Sequence, residues 1–79
     1  MMTPDLLKVT SVTSDGFWIT INETEYFCPF DKFKWFRGAR IEEIFKVKGD
    51  AEHLYWGKLN IDLNESYFQN NASIIRPVQ

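Results

Sequence analysis

The 79-residue chain lacks most of the features that announce a chemistry. It has one cysteine, so it can form no intrachain disulfide. It has one histidine, too few for a tight zinc site, which wants about four ligands, usually several Cys or His at fixed spacings. Its four glycines spell neither a G-x-G-x-x-G loop nor a Walker loop, so glycine-rich phosphate loops are absent. Cations are not in excess: nine Lys and Arg stand against eleven Asp and Glu, a net charge of -2. A protein that grips nucleic acid by itself needs a basic surplus or a dense basic face, so autonomous nucleic-acid binding is not expected. No run approaches the ~18 apolar residues of a membrane span, and no membrane partner is expected. The opening, Met1-Met2-Thr3-Pro4-Asp5, has no basic region and no apolar stretch, and does not read as a secretory leader. Together with the lone Cys28, this leads to the expectation of a reduced, cytoplasmic location.

What the chain does have is aromatic side chains: seven Phe, three Trp and three Tyr, or 16% of the residues. In a chain of this size a single core rarely supplies more than ~3–5 kcal/mol of net stability. Each aromatic side chain buries ~150–250 Å², so a few of them build most of a small core. Those that do not fit inside are candidates for a partner surface, and either self-association or a partner interface is expected. With 44% hydrophobic and 25% charged residues, the composition is that of a folded chain, and the length is that of one domain, residues 1–79. No linker, repeat or low-complexity segment interrupts it.

Residues 6–13 are rich in β-branched side chains (Val9, Thr10, Val12, Thr13) and read as a strand. Asp15-Gly16 is a hairpin turn signal. Residues 17–22 alternate, with Phe17, Ile19 and Ile21 on one face and Trp18, Thr20 and Asn22 on the other. Glu23 and Thr24 turn the chain into a short third strand, residues 25–28, stopped by Pro29. In residues 29–40, Phe30, Phe33 and Phe36 recur every third position among Lys32, Lys34 and Arg37. This predicts a short helix capped by Asp31 and ended by Gly38, or a loop pinned by the same aromatics, laid over the meander. Residues 44–48 alternate and read as a strand. Gly49-Asp50 reads as a turn, and residues 53–56 as the strand that completes a second hairpin, broken at Gly57. Ile61 and Leu63 continue the alternation. Asn64 is placed to cap a helix running to residue 68 or 69, with Glu65 in its first turn. Residues 70–79 read as a tail. Ile74, Ile75 and Val78 are compatible with a last strand, but Pro77 argues against one. The fold class is therefore a small α+β domain: an antiparallel β-meander plus a second hairpin, covered by one or two short helices.

Each candidate chemistry meets a simpler explanation. Cys28 and His53 fall in different hairpins, and nucleophilic catalysis needs them within hydrogen-bond reach, so Cys28 reads as a small buried hydrophobe. His53 with Asp50 and Glu52 reads as a solvated hairpin tip, not a metal site. The carboxylates Glu42, Glu43, Asp50, Glu52 and Asp62 are scattered over turns, where no cleft would hold a substrate between a pair of them. No catalytic residue, metal or cofactor is expected, and the chain is not expected to be an enzyme. The cluster of Trp35, Phe36, Arg37 and Arg40 carries more information, because Trp, Tyr and Arg are enriched at protein hot spots.

The run from Tyr26 to Asp62, YFCPFDKFKWFRGARIEEIFKVKGDAEHLYWGKLNID, resembles the bacterial domain-of-unknown-function 2442 family. The resemblance is carried by Trp35-Phe36 followed by Ala39, by Ile41-Glu42-Glu43-Ile44, by Leu54-Tyr55-Trp56, by Asp62-Leu63, and by an opening strand of the form Leu7-Lys8-Val9-Thr10-Ser11-Val12. Gly57 departs from it, since many relatives place a proline-containing turn after the Trp. The resemblance implies a compact α+β domain and carries over no catalytic residue. Some members precede a helix-turn-helix domain. Others are encoded beside a second small protein as a toxin–antitoxin pair, and this chain would then be the antitoxin-like half. The expectation is a non-enzymatic protein-interaction domain that binds a small protein partner, a cognate toxin on that analogy. It would mask the partner with an aromatic face or add an edge strand to its sheet. The residues expected at the interface are Trp35, Phe36, Arg37, Tyr55 and Trp56, with Trp56 the one most readily placed in a core instead. The alternative is a small-ligand-binding sensory domain resembling the N-terminal half of a helix-turn-helix regulator, which would need an apolar pocket with convergent polar groups.

Overall fold

A computed structural model of the protein describes residues 7–78; the expected first residue of the opening strand, residue 6, and the last residue of the tail lie outside them. The first three strands are β1 (Leu7–Val12), β2 (Gly16–Ile21) and β3 (Thr24–Pro29). They form the antiparallel meander that the alternation and the Asp15-Gly16 signal predict. The first turn is pinned by Thr13, whose hydroxyl accepts from the N–H groups of Asp15 and Gly16. The second turns at Asn22, in the left-handed region at φ 55°, one residue earlier than expected. Phe17, Ile19 and Ile21 stand opposite Cys28, Tyr26 and Thr24 in register. One face of the sheet is therefore buried through Val9, Phe17, Ile19, Ile21, Tyr26 and Cys28, with Thr24 at its margin.

A fourth strand, β7 (Ile74–Pro77), joins this sheet antiparallel to β3 and gives the order β1-β2-β3-β7. The tail expected at residues 70–79 is thus corrected to a strand at its centre. Pro77 is accommodated because β7 lies at the sheet edge, where a missing N–H breaks no ladder. The second sheet, β4 (Lys48–Asp50), β5 (His53–Trp56) and β6 (Ile61–Leu63), is antiparallel in sequence order. It carries Leu54, Trp56 and Ile61 into the core.

The strand expected at residues 44–48 is also corrected. Ile41–Ile44 is a single-turn helix, α1, and the strand, β4, keeps only Lys48 of the expected residues and runs on through Gly49 and Asp50, where a turn was expected. The reason is in the burial. Ile44 is the residue that reaches the core and Val47 packs against its margin, while Phe45 is 44% exposed, so Phe45 and Val47 do not share a buried face. Gly49 belongs in a strand here only because it is glycine. Its φ is +104°, and a β-carbon would stand 1.9 Å from the His53 carbonyl oxygen. Asp50 makes the tip of the hairpin, accepting from the N–H groups of Glu52 and His53.

Between the sheets, residues 29–39 run as successive i→i+3 turns: Lys32 N–H to Pro29 O, Phe36 to Phe33, Arg37 to Lys34 and Ala39 to Phe36. Only Lys34–Phe36 is a regular 3₁₀ turn, and Phe33 precedes it with no side-chain cap, so the expected cap at Asp31 is not made. A three-residue repeat eclipses side chains at i and i+3, which explains why the Phe residues come every third position. Phe33 and Phe36 are buried against Phe17, with ring centroids 5.9 and 4.7 Å away. Gly38, at φ +77°, ends the segment as the sequence predicts. The last helix, α2 (Glu65–Asn71), is capped by Asn64, whose Oδ1 accepts from Tyr67 N–H, and places Phe68 on the core.

The two sheets meet around Phe17 and Trp56. The Trp56 ring lies edge-on to Phe36 at 4.9 Å, and its Nε1–H donates to the Ile44 carbonyl at 2.8 Å. That buried hydrogen bond fastens β5 to the end of α1. Among the described residues no helix is long and apolar enough to cross a membrane.

Candidate interaction face

The cover over the core, residues 29–41, is the least regular part of the molecule and carries most of the polar and aromatic residues singled out from the sequence. Its i→i+3 turns point Phe33 and Phe36 inward and leave the residues between them outside. Trp35 is therefore 52% exposed. Its indole sits edge-on to Tyr67 of α2 at 5.4 Å, and Tyr67 in turn sits edge-on to the buried Phe33 at 5.2 Å. The Tyr67 hydroxyl donates to the Lys32 carbonyl at 2.6 Å. The exposed tryptophan is thus braced by a chain of contacts that begins in the core.

Two residues on, Arg37 Nη2 donates to Asp31 Oδ1 at 2.6 Å. Both side chains are largely exposed, so the pair adds little to stability, ~1 kcal/mol at most. Its effect is to fix the guanidinium at the mouth of a groove of about 930 Å³. Val12, Phe30, Phe36 and Ile44 line the apolar part of this groove, which runs between the β1–β2 turn and α1. Ile41, 60% exposed, lines it as well.

The expected interface residues divide. Trp35 and Arg37 are both exposed on the cover, Trp35 against Tyr67 and Arg37 at the groove, and Asp31 borders both places. Phe36 reaches this face only as part of the groove's apolar lining and Trp56 not at all; each is only 1% exposed and both are members of the core. Tyr55 is 45% exposed, but it projects from β5 on the outer side of the second sheet, beside Lys48. The residues that sequence reasoning missed are Ile41 and Tyr67. The i, i+3 spacing of Ile41 and Ile44 was the available signal for a helix lining the groove. Tyr67 joins this face only through its contact with Trp35, 32 residues away in sequence, which no local pattern carries.

The edges of the first sheet are poorly suited to strand addition. In β1 the register shifts between Val9 and Ser11, leaving a bulge at Thr10. In β7, Val78 N–H donates to the Glu23 carbonyl. By the alternation of an antiparallel ladder, residues 75 and 77 turn their backbone groups away from β3, and of these Pro77 has no hydrogen to offer, which leaves Ile75 N–H as the donor on that edge.

The other reactive groups are apart. Cys28 is fully buried in β3, and burial pushes its thiol pKa up, favouring the neutral form. His53 lies in the other sheet, 3.7 Å from Asp62 in an exposed pair. Among the described residues no three His, Cys, Asp or Glu side chains are grouped to hold a metal ion. Tyr26 donates to Glu65 Oε2 at 2.7 Å. Burial first, then the hydrogen bond and charge of Glu65, push its phenol pKa up to about 12. This contact ties α2 to the sheet.

Compared with known protein families, residues 9–72 match the model described as protein of unknown function (DUF2442). Comparison with curated proteins and with solved structures finds no match.

Proposed function

The chain belongs to the DUF2442 family of proteins of unknown function, and we propose that it is a non-enzymatic interaction domain that docks a protein partner on the cover segment, at Trp35 and Arg37. The observation that carries this reading is the bracing of Trp35. A half-exposed tryptophan held against Tyr67, beside an arginine held by Asp31, presents two residue types that dominate binding hot spots. Both are ordered before the partner arrives, so little side-chain entropy remains to be lost on binding. At the first sheet, the bulge in β1 and the proline in β7 favour this face over strand addition. An antitoxin, which masks the active surface of a cognate toxin, is one form of the same reading, and a small protein partner is what it requires.

A photo-crosslinking amino acid in place of Trp35, with a control at the exposed Asp62, tests the proposal in the native host. A single protein crosslinked from position 35 and not from position 62 supports it. Equal crosslinking from the two positions, or none from position 35, contradicts it.

One observation favours the second reading, a ligand-binding sensory domain. The groove beside Arg37 has the volume of a small-molecule site, which runs from about 300 to 1,000 Å³, and is lined largely by apolar side chains. It is open to solvent, whereas ligand pockets usually bury most of their ligand. A peptide side chain suits it better than a whole metabolite.

A further inference from the structure

Independently of that reading, we propose that the outer face of β4 and β5 is a binding site for a phosphate monoester whose molecule also bears an aromatic ring, with Tyr55 beside the ring and Lys46, Lys48 and Lys58 around the phosphate. The site is assembled from three parts of the chain. Lys48 and Tyr55 are register partners across β4 and β5, which places their side chains next to each other on one face. Lys46 arrives from the segment between α1 and β4, and Lys58 from the turn after β5. With Glu43 and Gly57 these residues line a cavity of about 260 Å³.

The electrostatics is unbalanced. The chain as a whole carries a net charge of -2, yet three of its nine cations surround one tyrosine. Two carboxylates share the face: Glu43 is engaged by Lys46 at 3.5 Å, and Asp62, the register partner of Tyr55 on the β6 side, lies 3.7 Å from His53. Lys48 and Lys58 have no carboxylate partner among the described residues. An anion placed between them relieves the repulsion of like charges and replaces the missing partner. Lysine binds phosphate as a point charge, and a phosphate monoester brings ≈ −1.5 to −2 charges and three acceptor oxygens for the three ammonium groups. A carboxylate brings half the charge and two oxygens.

Tyr55 supplies the second half of the recognition. Its ring is nearly half exposed, and Gly57 lies along the ring edge, where a β-carbon would already touch Cε2 at 3.5 Å. The glycine keeps that edge clear for a second ring, and a stacked or edge-on ring pair contributes about 0.5–1.5 kcal/mol beyond burial. At about 260 Å³ the cavity falls below the usual range for whole ligands, so it reads one phosphorylated group. The helix α1 separates it from the groove: Ile41 and Ile44 line the groove and Glu43 lines this site.

The test is an amide chemical-shift titration of the full chain with three probes: phenyl phosphate, adenosine monophosphate and inorganic phosphate. The proposal expects shifts centred on Lys48, Tyr55, Gly57 and Lys58. Binding of at least one ring-bearing probe is expected to be about two- to tenfold tighter than that of inorganic phosphate, the margin that ring stacking of this size supplies. Preference for phenyl phosphate marks a phosphorylated aromatic side chain as the source, and preference for the nucleotide marks a free nucleotide. Tyr55→Leu is expected to reduce the ring-bearing probes to the level of inorganic phosphate, and Lys48→Gln with Lys58→Gln to abolish all three. Lys32 and Lys34, exposed on the cover, act as an internal control for unspecific attraction. Equal binding of inorganic phosphate, equal shifts at Lys32 and Lys34, or no shifts at all would overturn the proposal.

Discussion

Replacing Trp56 with Phe tests how the two sheets are joined. The substitution keeps an aromatic ring against Phe17 and Phe36 but removes the indole N–H that donates to Ile44 O at 2.8 Å. The carbonyl is then buried without that donor, which costs about 1–3 kcal/mol. The smaller ring also leaves a void of roughly 40 Å³, and at ~24 cal/mol per Å³ this adds about 1 kcal/mol. The sum, about 2–4 kcal/mol, is large for a small domain, where each kcal/mol moves Tm by roughly 4–8 °C. Thermal unfolding followed by circular dichroism should therefore show a drop of roughly 10–25 °C. Trp35→Phe, on the exposed cover, should stay within about 0.5 kcal/mol of the parent, as surface changes do. A Trp56→Phe variant that loses less than about 5 °C, or no more than Trp35→Phe, would refute the claim that this residue fastens the second sheet to the core.

Further expected outcomes concern pH, backbone and reactivity. Because Tyr26 is raised from 10.0 to about 12 in the folded chain, stability from this group is fully present below pH 10 and is lost as pH rises through 12. Ultraviolet titration should show one phenol ionising late, and Tyr26→Phe should remove that phase. Gly49→Ala forces a β-carbon onto the His53 carbonyl at positive φ, whereas Gly38→Ala meets no atom within 4 Å. The first should cost well over 2 kcal/mol and the second about 1 kcal/mol, read from denaturant midpoints. Cys28, buried and held neutral, should react with a thiol reagent only at the rate of unfolding, and rapid labelling of the native protein would contradict its placement.

The parts of the fold legible in the sequence are those set by neighbouring residues. Alternation through Phe17, Ile19 and Ile21, the Asp15-Gly16 turn and the Asn64 cap each specify local backbone, and each is found where the pattern puts it. The parts misread depend on partners distant in the chain. Pro77 argued against a strand until β3 was seen to supply the only neighbour β7 needs, on the side where no N–H is missing. Phe45 and Val47 alternate like a strand, but the helix wins because Ile44 docks in the core and its carbonyl receives the Trp56 indole. The candidate site shows the same division. That aromatics in excess of the core would reach the surface was legible. Which ones do so was not, because Trp35 and Phe36 are adjacent and only the i→i+3 turn turns one out and the other in.

The central claim, that a protein partner docks on the braced Trp35 and Arg37, is tested most directly by affinity capture from the native host. Tagged wild type and a Trp35→Ala/Arg37→Ala variant are run side by side and read by mass spectrometry, with matched thermal unfolding to show that both are folded. The account expects one small protein recovered with wild type and at least tenfold depleted with the variant. The same proteins recovered equally by both, or the bait alone in each, would contradict it.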